Sequence, residues 1–285
     1  MGSKLKKNFL ILPIAAWLAF SPGSALAKPD LSWQILRPGL SLSVIQASDT
    51  ARTGSEDVIL LKINPQVLGF RVLAAPNGER GYDAGDWRKK TGALAVVNAG
   101  LFTPEKNYLG LLIKDGRRLS RLASRPAGLF VAEPDDPSLP KARVLDMQYT
   151  ALDIEHLPYR QAAQSIMLLD RFGNIRVRRT AHVANRTALA EDSSGNILVI
   201  ITKGEHTLWE FADYLAKSGL DIREVMCMDG GPEAQLDLKV GDYTLTQYGS
   251  PSGSMGLPWP SAALPVALGI FAPPPKKPVQ SFRGR

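Results

Sequence analysis

Two apolar runs in this chain end on side chains able to do chemistry. "VVNAGLF", residues 96–102, sets Asn98 between a β-branched run and a Gly-aromatic turn. "VMCMDGGPEAQL", residues 225–236, delivers Asp229 into the pair Gly230-Gly231. A polar group at the end of a buried strand is held rigidly, as a reacting or ligand-binding group must be. The two glycines permit positive φ and close approach of a ligand to the backbone, and bare N–H groups in such a turn can receive an anion. Glu233 follows closely, so Asp229 and Glu233 form a candidate carboxylate pair of the kind glycoside hydrolysis uses. Arg186 opens the run "RTALAED", and the planar fork of arginine suits a phosphate or carboxylate. Lys203, at the end of "ILVIIT", adds a second cation to the same edge if these two runs form a hairpin. Each residue also has a plainer reading. Asn98 and Asp229 serve equally well as turn residues, Glu233 as a solvated loop acid, and Arg186 as surface charge.

The elements that must position these groups are mostly strands. Short Val-, Ile- and Leu-rich runs recur from "DVILLKI" to "PVALGIFA", and "IRVRR" at 175–179 reads as one of them. Turn residues separate them, and Ser194-Gly195-Asn196 marks a hairpin between "RTALAED" and "ILVIIT". Two segments read as helices. "YDAGDWRKKTG", 82–92, is short and polar. "HTLWEFADYLAKSG", 206–219, has a capping box in Thr207 and Glu210, an apolar stripe of Leu208, Phe211, Ala212 and Leu215, and Gly219 to end it. The expected class is α+β, a single domain with a large mixed or antiparallel sheet and a few helices.

The ends of the 285-residue chain carry much of its charge. Residues 1–27 have the form of a signal peptide: Lys4, Lys6 and Lys7, an apolar run from Phe9 to Phe20, then Ala25-Leu26-Ala27 as a cleavage site. The protein is therefore expected to be exported, periplasmic or secreted, with no integral membrane span after leader cleavage. A Pro-rich tail, 272–285, carries Lys276, Lys277, Arg283 and Arg285 and no acid, and is expected to be disordered. Much of the formal net charge of +7 thus belongs to leader and tail. A basic groove for nucleic acid is not indicated, because such proteins concentrate charge on the folded domain. Cys227 is the only cysteine, which excludes an internal disulfide. It sits in an apolar run and reads as a small buried hydrophobe. Three histidines without ligand spacing argue against a zinc site.

In order, "ALAVVNAGLF", "LGLLIKDGRRLS", "NRTALAEDSSGNILVIIT", a helix and "EVMCMDGG" resemble the phosphodiester glycosidase family over roughly Leu94 to Leu238. The resemblance implies a secreted α+β hydrolase that cleaves the bond between a sugar's anomeric carbon and a phosphate. Asn98 and Gly100 fall on the family's Asn-x-Gly turn, Arg186 on its arginine before the hairpin, and Asp229, Gly230 and Gly231 on its Asp-Gly-Gly motif. Pro232, Glu233 and Ala234 depart from the small residues and serine usual after that motif. The implied site has Arg186 and the Gly230-Gly231 backbone on the phosphate, with Lys203 near. Asn98 orients the sugar or water, and Asp229 acts as base or nucleophile with Glu233 as partner. The substrate is a glycan or sugar-phosphodiester in an envelope or extracellular setting. No cofactor is required, although a divalent cation is possible through Asp229 with Asp170 or Asp192. The rival expectation is a non-catalytic glycan-binding protein in exopolysaccharide handling, with Trp209, Tyr248 and Trp259 as candidate aromatic platforms.

Overall fold

The computed structural model describes residues 31–47, 51–76, 79–125, 127–254 and 260–273. The expected leader, most of the expected tail and Trp259 lie outside these residues. Every strand pairing among the described residues is antiparallel. Eleven strands form a large sheet and five a smaller one, with a two-stranded ribbon beside them. The expected large sheet is present. The balance is more strongly β than an α+β label conveys, with two α-helices among the described residues. No helix among them is long and apolar enough to cross a membrane.

The centre of the large sheet runs through Asp57–Ile63, Ile197–Thr202, Thr187–Asp192, Ile222–Cys227 and Tyr159–Leu169. These strands are apolar on both faces because both faces are covered, which is why their sequences do not alternate. One face packs on the smaller sheet. Leu61, Ile201 and Met226 from the large sheet share a core with Val97, Leu236 and Leu268 from the small one. The other face is covered by the helix Leu208–Lys217 through Phe211, Ala212 and Leu215. The expected hairpin is present, with Thr187 opposite Ile201 and Glu191 opposite Ile197.

Both expected helices form. Asp83 caps Ala84–Thr91 by accepting from the Asp86 N–H, and Gly92 ends it in the left-handed region at φ 71°. The capping box of Thr207 and Glu210 is complete in both directions. The run 175–179 is not a strand. It contributes one isolated bridge, between Ile175 and Leu169, because Arg176 turns inward to the Asp146 carboxylate at 2.6 Å and breaks the alternation a paired strand needs. Asp170 and Asp192 are both turn formers. Each accepts two backbone N–H groups through Oδ1 and an asparagine amide through Oδ2. Both carboxylates are engaged in these turns, and no group of three or more His, Cys, Asp or Glu that could hold a metal ion converges among the described residues.

The capping box makes a direct prediction. Replacing Thr207 by Ala removes the acceptor for the Glu210 N–H and should cost about 1 kcal/mol. A thermal melt should then fall by roughly 2–4 °C, as expected for a chain of this size.

Candidate active site

The site lies where the chain passes from one sheet to the other. Asp229 follows the large-sheet strand Ile222–Cys227; Gln235 opens the small-sheet strand Gln235–Val240. Asn98 ends the adjacent small-sheet strand, Ala95–Asn98, and is fully buried. Its Nδ2 donates to the Asp229 carbonyl at 2.8 Å, and its Oδ1 accepts the Gln235 N–H at 3.2 Å. The amide therefore bridges both ends of the crossover. The amide oxygen and one amide N–H of Asn98 are thus bonded to the backbone at the two ends of the Asp-Gly-Gly turn.

Gly100 completes the clamp. The Asp229 N–H donates to the Gly100 carbonyl at 2.7 Å, and the Gly100 N–H meets the Met228 sulfur at 3.1 Å. Gly100 has φ 63°, and a Cβ there would fall 2.1 Å from the Tyr108 ring. Tyr108 is fixed in turn, since its hydroxyl donates to the Gln164 carbonyl at 2.9 Å. The glycine of the Asn-x-Gly turn thus admits an aromatic ring against the backbone that holds Asp229.

The Asp229 carboxylate is raised to about 6. Burial is the main cause, and the negative charge of Glu233 adds to it. The Gly230 and Phe102 backbone N–H groups and the Lys106 ammonium pull the other way. Glu233 sits in the short turn Gly231–Glu233 and is ion-paired with Lys106. Lys106 has φ 64°, an uncommon conformation for a lysine, in the loop that also carries Phe102 and Tyr108. Asp229 and Glu233 do come together, and Glu233 is held by Lys106, a cation with no signal in the sequence.

Arg186 is buried, 4% exposed. Its Nε donates to the His206 carbonyl at 2.8 Å and its Nη2 to the His182 carbonyl at 2.9 Å. No carboxylate pairs with it among the described residues. Burial pulls the guanidinium below its ordinary value, with opposing attraction that includes Asp229 and Glu205. Its third nitrogen, Nη1, lies beside Gly230, where a Cβ would sit 3.1 Å from it and 2.7 Å from the Asn185 carbonyl. Only glycine allows the guanidinium this close to the Asp229 turn. Asn185, which the sequence reading passed over, ties the neighbourhood together. Its amide donates to the Lys203 carbonyl at 2.8 Å, and its Oδ1 accepts the Ser250 N–H at 2.9 Å.

The Gly230 and Gly231 N–H groups and the Lys203 ammonium, expected to face a ligand, have partners within the protein. The Gly230 and Gly231 N–H groups are not free for a phosphate: Gly230 donates to the Asp229 carboxylate at 3.0 Å, and Gly231 to the Asn185 carbonyl at 3.0 Å. Lys203 stands at the expected end of the hairpin, but its ammonium pairs with Asp57 at 2.8 Å on the far side of its strand. Among the expected platforms, Trp209 is covered by Arg179 at 3.4 Å, and the Tyr248 hydroxyl receives the Gly85 N–H at 2.9 Å. Cys227 is buried as expected, with its thiol pushed up to about 12 chiefly by burial.

The arrangement joins a carboxylate that titrates near neutrality to a buried cation without an acid partner. Both are held by backbone bonds that Asn98 anchors. Asn98→Ala would leave the Asp229 carbonyl and the Gln235 N–H without partners, at an expected cost of about 2–4 kcal/mol. Urea denaturation should show this loss.

The sequence model of the phosphodiester glycosidase family matches residues 91–271, which include Asn98, Arg186 and the Asp229 turn. No curated protein sequence matches the chain. Among solved structures, the fold is similar to the catalytic domain of zebrafish N-acetylglucosamine-1-phosphodiester alpha-N-acetylglucosaminidase, described as auto-inhibited by its pro-peptide. The TM-score is 0.59 at 19% identity, over 85% of this chain and 87% of that one. A hypothetical protein from Synechocystis is similar at TM-score 0.54 and 14% identity, over 87% of this chain and 64% of that one. By the family match across most of its length, the chain belongs to the phosphodiester glycosidase family.

Proposed function

We propose that the protein hydrolyses the glycosyl–phosphate bond of a sugar-1-phosphodiester in an envelope or extracellular glycan, acting after export. The observation that carries this reading is Arg186: a buried guanidinium with no carboxylate partner among the described residues, next to the Asp229 turn. A buried cation calls for a counter-charge, and a phosphodiester supplies one that the planar fork can grip. Family membership supports phosphodiester glycosidase chemistry in general terms.

In the proposed step, Asp229 acts as general base. It takes a proton from water as the water oxygen bonds the anomeric carbon. The bond from that carbon to the phosphate oxygen breaks, and its electron pair leaves on the phosphate. Arg186 stabilises the charge that gathers there. Phosphate leaves readily as an anion, so the site needs no strong general acid. Glu233 tunes Asp229 without touching the substrate: its charge raises the carboxylate toward neutrality, where a general base works best. Lys106 moderates that charge. Asn98 and Gly100 are positioning residues.

The direct test is hydrolysis of N-acetylglucosamine 1-phosphate esterified to a chromophoric alcohol. Asp229→Asn should lower turnover roughly 10²–10⁴-fold. Asp229 is costly in its charged form, so the same variant should be more stable than the parent at neutral pH, by about 1–3 kcal/mol. The sign follows from linkage. A carboxyl raised in the folded state contributes stability at low pH, and that stability is lost as pH rises from the ordinary 3.8 through about 6. An Asp229→Asn protein that folds and keeps full turnover would remove Asp229 from the mechanism.

The pH profile gives an independent check. A base must be ionised, so kcat/KM should rise with pH through about 6. Glu233→Gln deletes a like charge and frees Lys106, so it should move this limb to lower pH. Lys106→Met should move it to higher pH. A limb that stays put in both variants would show that the titrating group is not Asp229.

A further inference from the structure

We propose that a groove leading away from Asp229 holds the next unit of a phosphodiester-linked sugar polymer, making the substrate an anionic glycan chain; this rests on the reading of Asp229 and Arg186 given above. Two cavities, of about 460 and 250 Å³, share Arg125, Ala127 and Arg176 and so run into each other. Leu101 stands at the near end. Its neighbours Gly100 and Phe102 both reach Asp229, one accepting its backbone N–H and the other donating to its carboxylate. Leu152 and Ile154 stand at the far end. The groove therefore ends at the loop whose backbone holds Asp229.

Its charge suits an anion. Two arginines line it and no acid does. Arg176 is already balanced from behind by Asp146 at 2.6 Å and Asp170 at 3.9 Å. Arg125 is exposed and has no ion pair among the described residues. A cation without an acid partner, in a groove that begins at a phosphodiester site, complements the following phosphate of a polymer. A neutral glycan leaves Arg125 without a counter-charge, and an isolated sugar phosphodiester has nothing to place beyond Leu101.

The rim suits a sugar ring. Tyr149 lies between Gln148 and Thr150, which line the groove. Its ring meets Phe172 edge to face at 5.5 Å, and Phe172 is 69% exposed. The guanidinium of Arg176 sits 5.5 Å from the Tyr149 ring and holds it in place. An exposed aromatic pair beside the groove is an apolar surface left open for a ligand, and the C–H face of a pyranose is such a partner. Neither aromatic belongs to a periodic segment that would mark it in the sequence.

The test is titration calorimetry on the full chain carrying Asp229→Asn, so that ligand is not consumed. Three probes are used: a tetramer of phosphodiester-linked N-acetylglucosamine units, the methyl phosphodiester of the single sugar, and the neutral N-acetylglucosamine tetramer. The charged tetramer should bind more tightly than either other probe. Arg125→Ala and Phe172→Ala, added separately, should each weaken it roughly tenfold while leaving the single-sugar diester within about twofold. Equal binding of charged tetramer and single-sugar diester overturns the proposal. So does equal binding of charged and neutral tetramers, or an unchanged charged-tetramer affinity in Arg125→Ala. Turnover of the chromophoric monomer by the unmutated protein is measured alongside. Turnover without tetramer preference rejects the groove alone. Arg125-dependent tetramer binding without turnover rejects the catalytic reading of Asp229 and leaves the groove as an anionic-glycan site.

Discussion

The site depends on one side-chain amide. Asn98 stands at the end of a small-sheet strand and bonds both ends of the segment by which the chain leaves the large sheet and enters the small one. Backbone groups taken out of water need a partner, and here a side chain supplies both. Because Asn98 supplies one donor and one acceptor, the Asp229 carbonyl and the Gln235 N–H are both satisfied without spending the Asp229 carboxylate. Gly100 and Tyr108 act from the opposite side, pressing a ring against the turn so that its backbone has little room to shift.

Burial then sets the electrostatics. A carboxyl removed from water and placed near a second acid resists ionisation, whereas a guanidinium removed from water keeps its charge and lacks an acid partner. The two groups are neighbours through Gly230, the one residue type that fits between them. The fold thus holds a buried guanidinium without an ion-pair partner among the described residues beside a carboxyl raised to about 6. Both are unfavourable for an empty protein, and both would be relieved by an anionic ligand. Such tension is a common property of functional sites.

Much of this was legible in the sequence, for definable reasons. Strand ends show where apolar runs stop, so Asn98 and Asp229 stand out, and the hairpin after Arg186 is marked by its own turn. The capping box is local and reads directly. Bond partners do not read in the same way. The Asn98 amide reaches residues more than a hundred positions away, and nothing near it in sequence says whether it bonds backbone or substrate. The Gly230 and Gly231 N–H groups look free in a one-dimensional reading, because Asn185 comes close only in the fold. Lys203 was correctly put at a strand end, but the identity of the neighbouring strand, which brings Asp57, decides where its charge goes. Lys106, Tyr149 and Phe172 lie in irregular segments, where periodicity carries no information.

The long reach of the Asn98 bonds has a kinetic side. Contacts between distant parts of a chain form slowly, because loop closure must precede them. The clamp joins residues on either side of most of the large sheet's central strands, so it closes only after those strands have paired. A nascent or partly folded chain holds Asp229 on an unfixed turn, in water, with an ordinary carboxylate pKa and no buried arginine beside it. The proposed site is therefore assembled late in folding, after the strands that flank it have paired, so its formation reports completion of the whole β-structure rather than of any part of it.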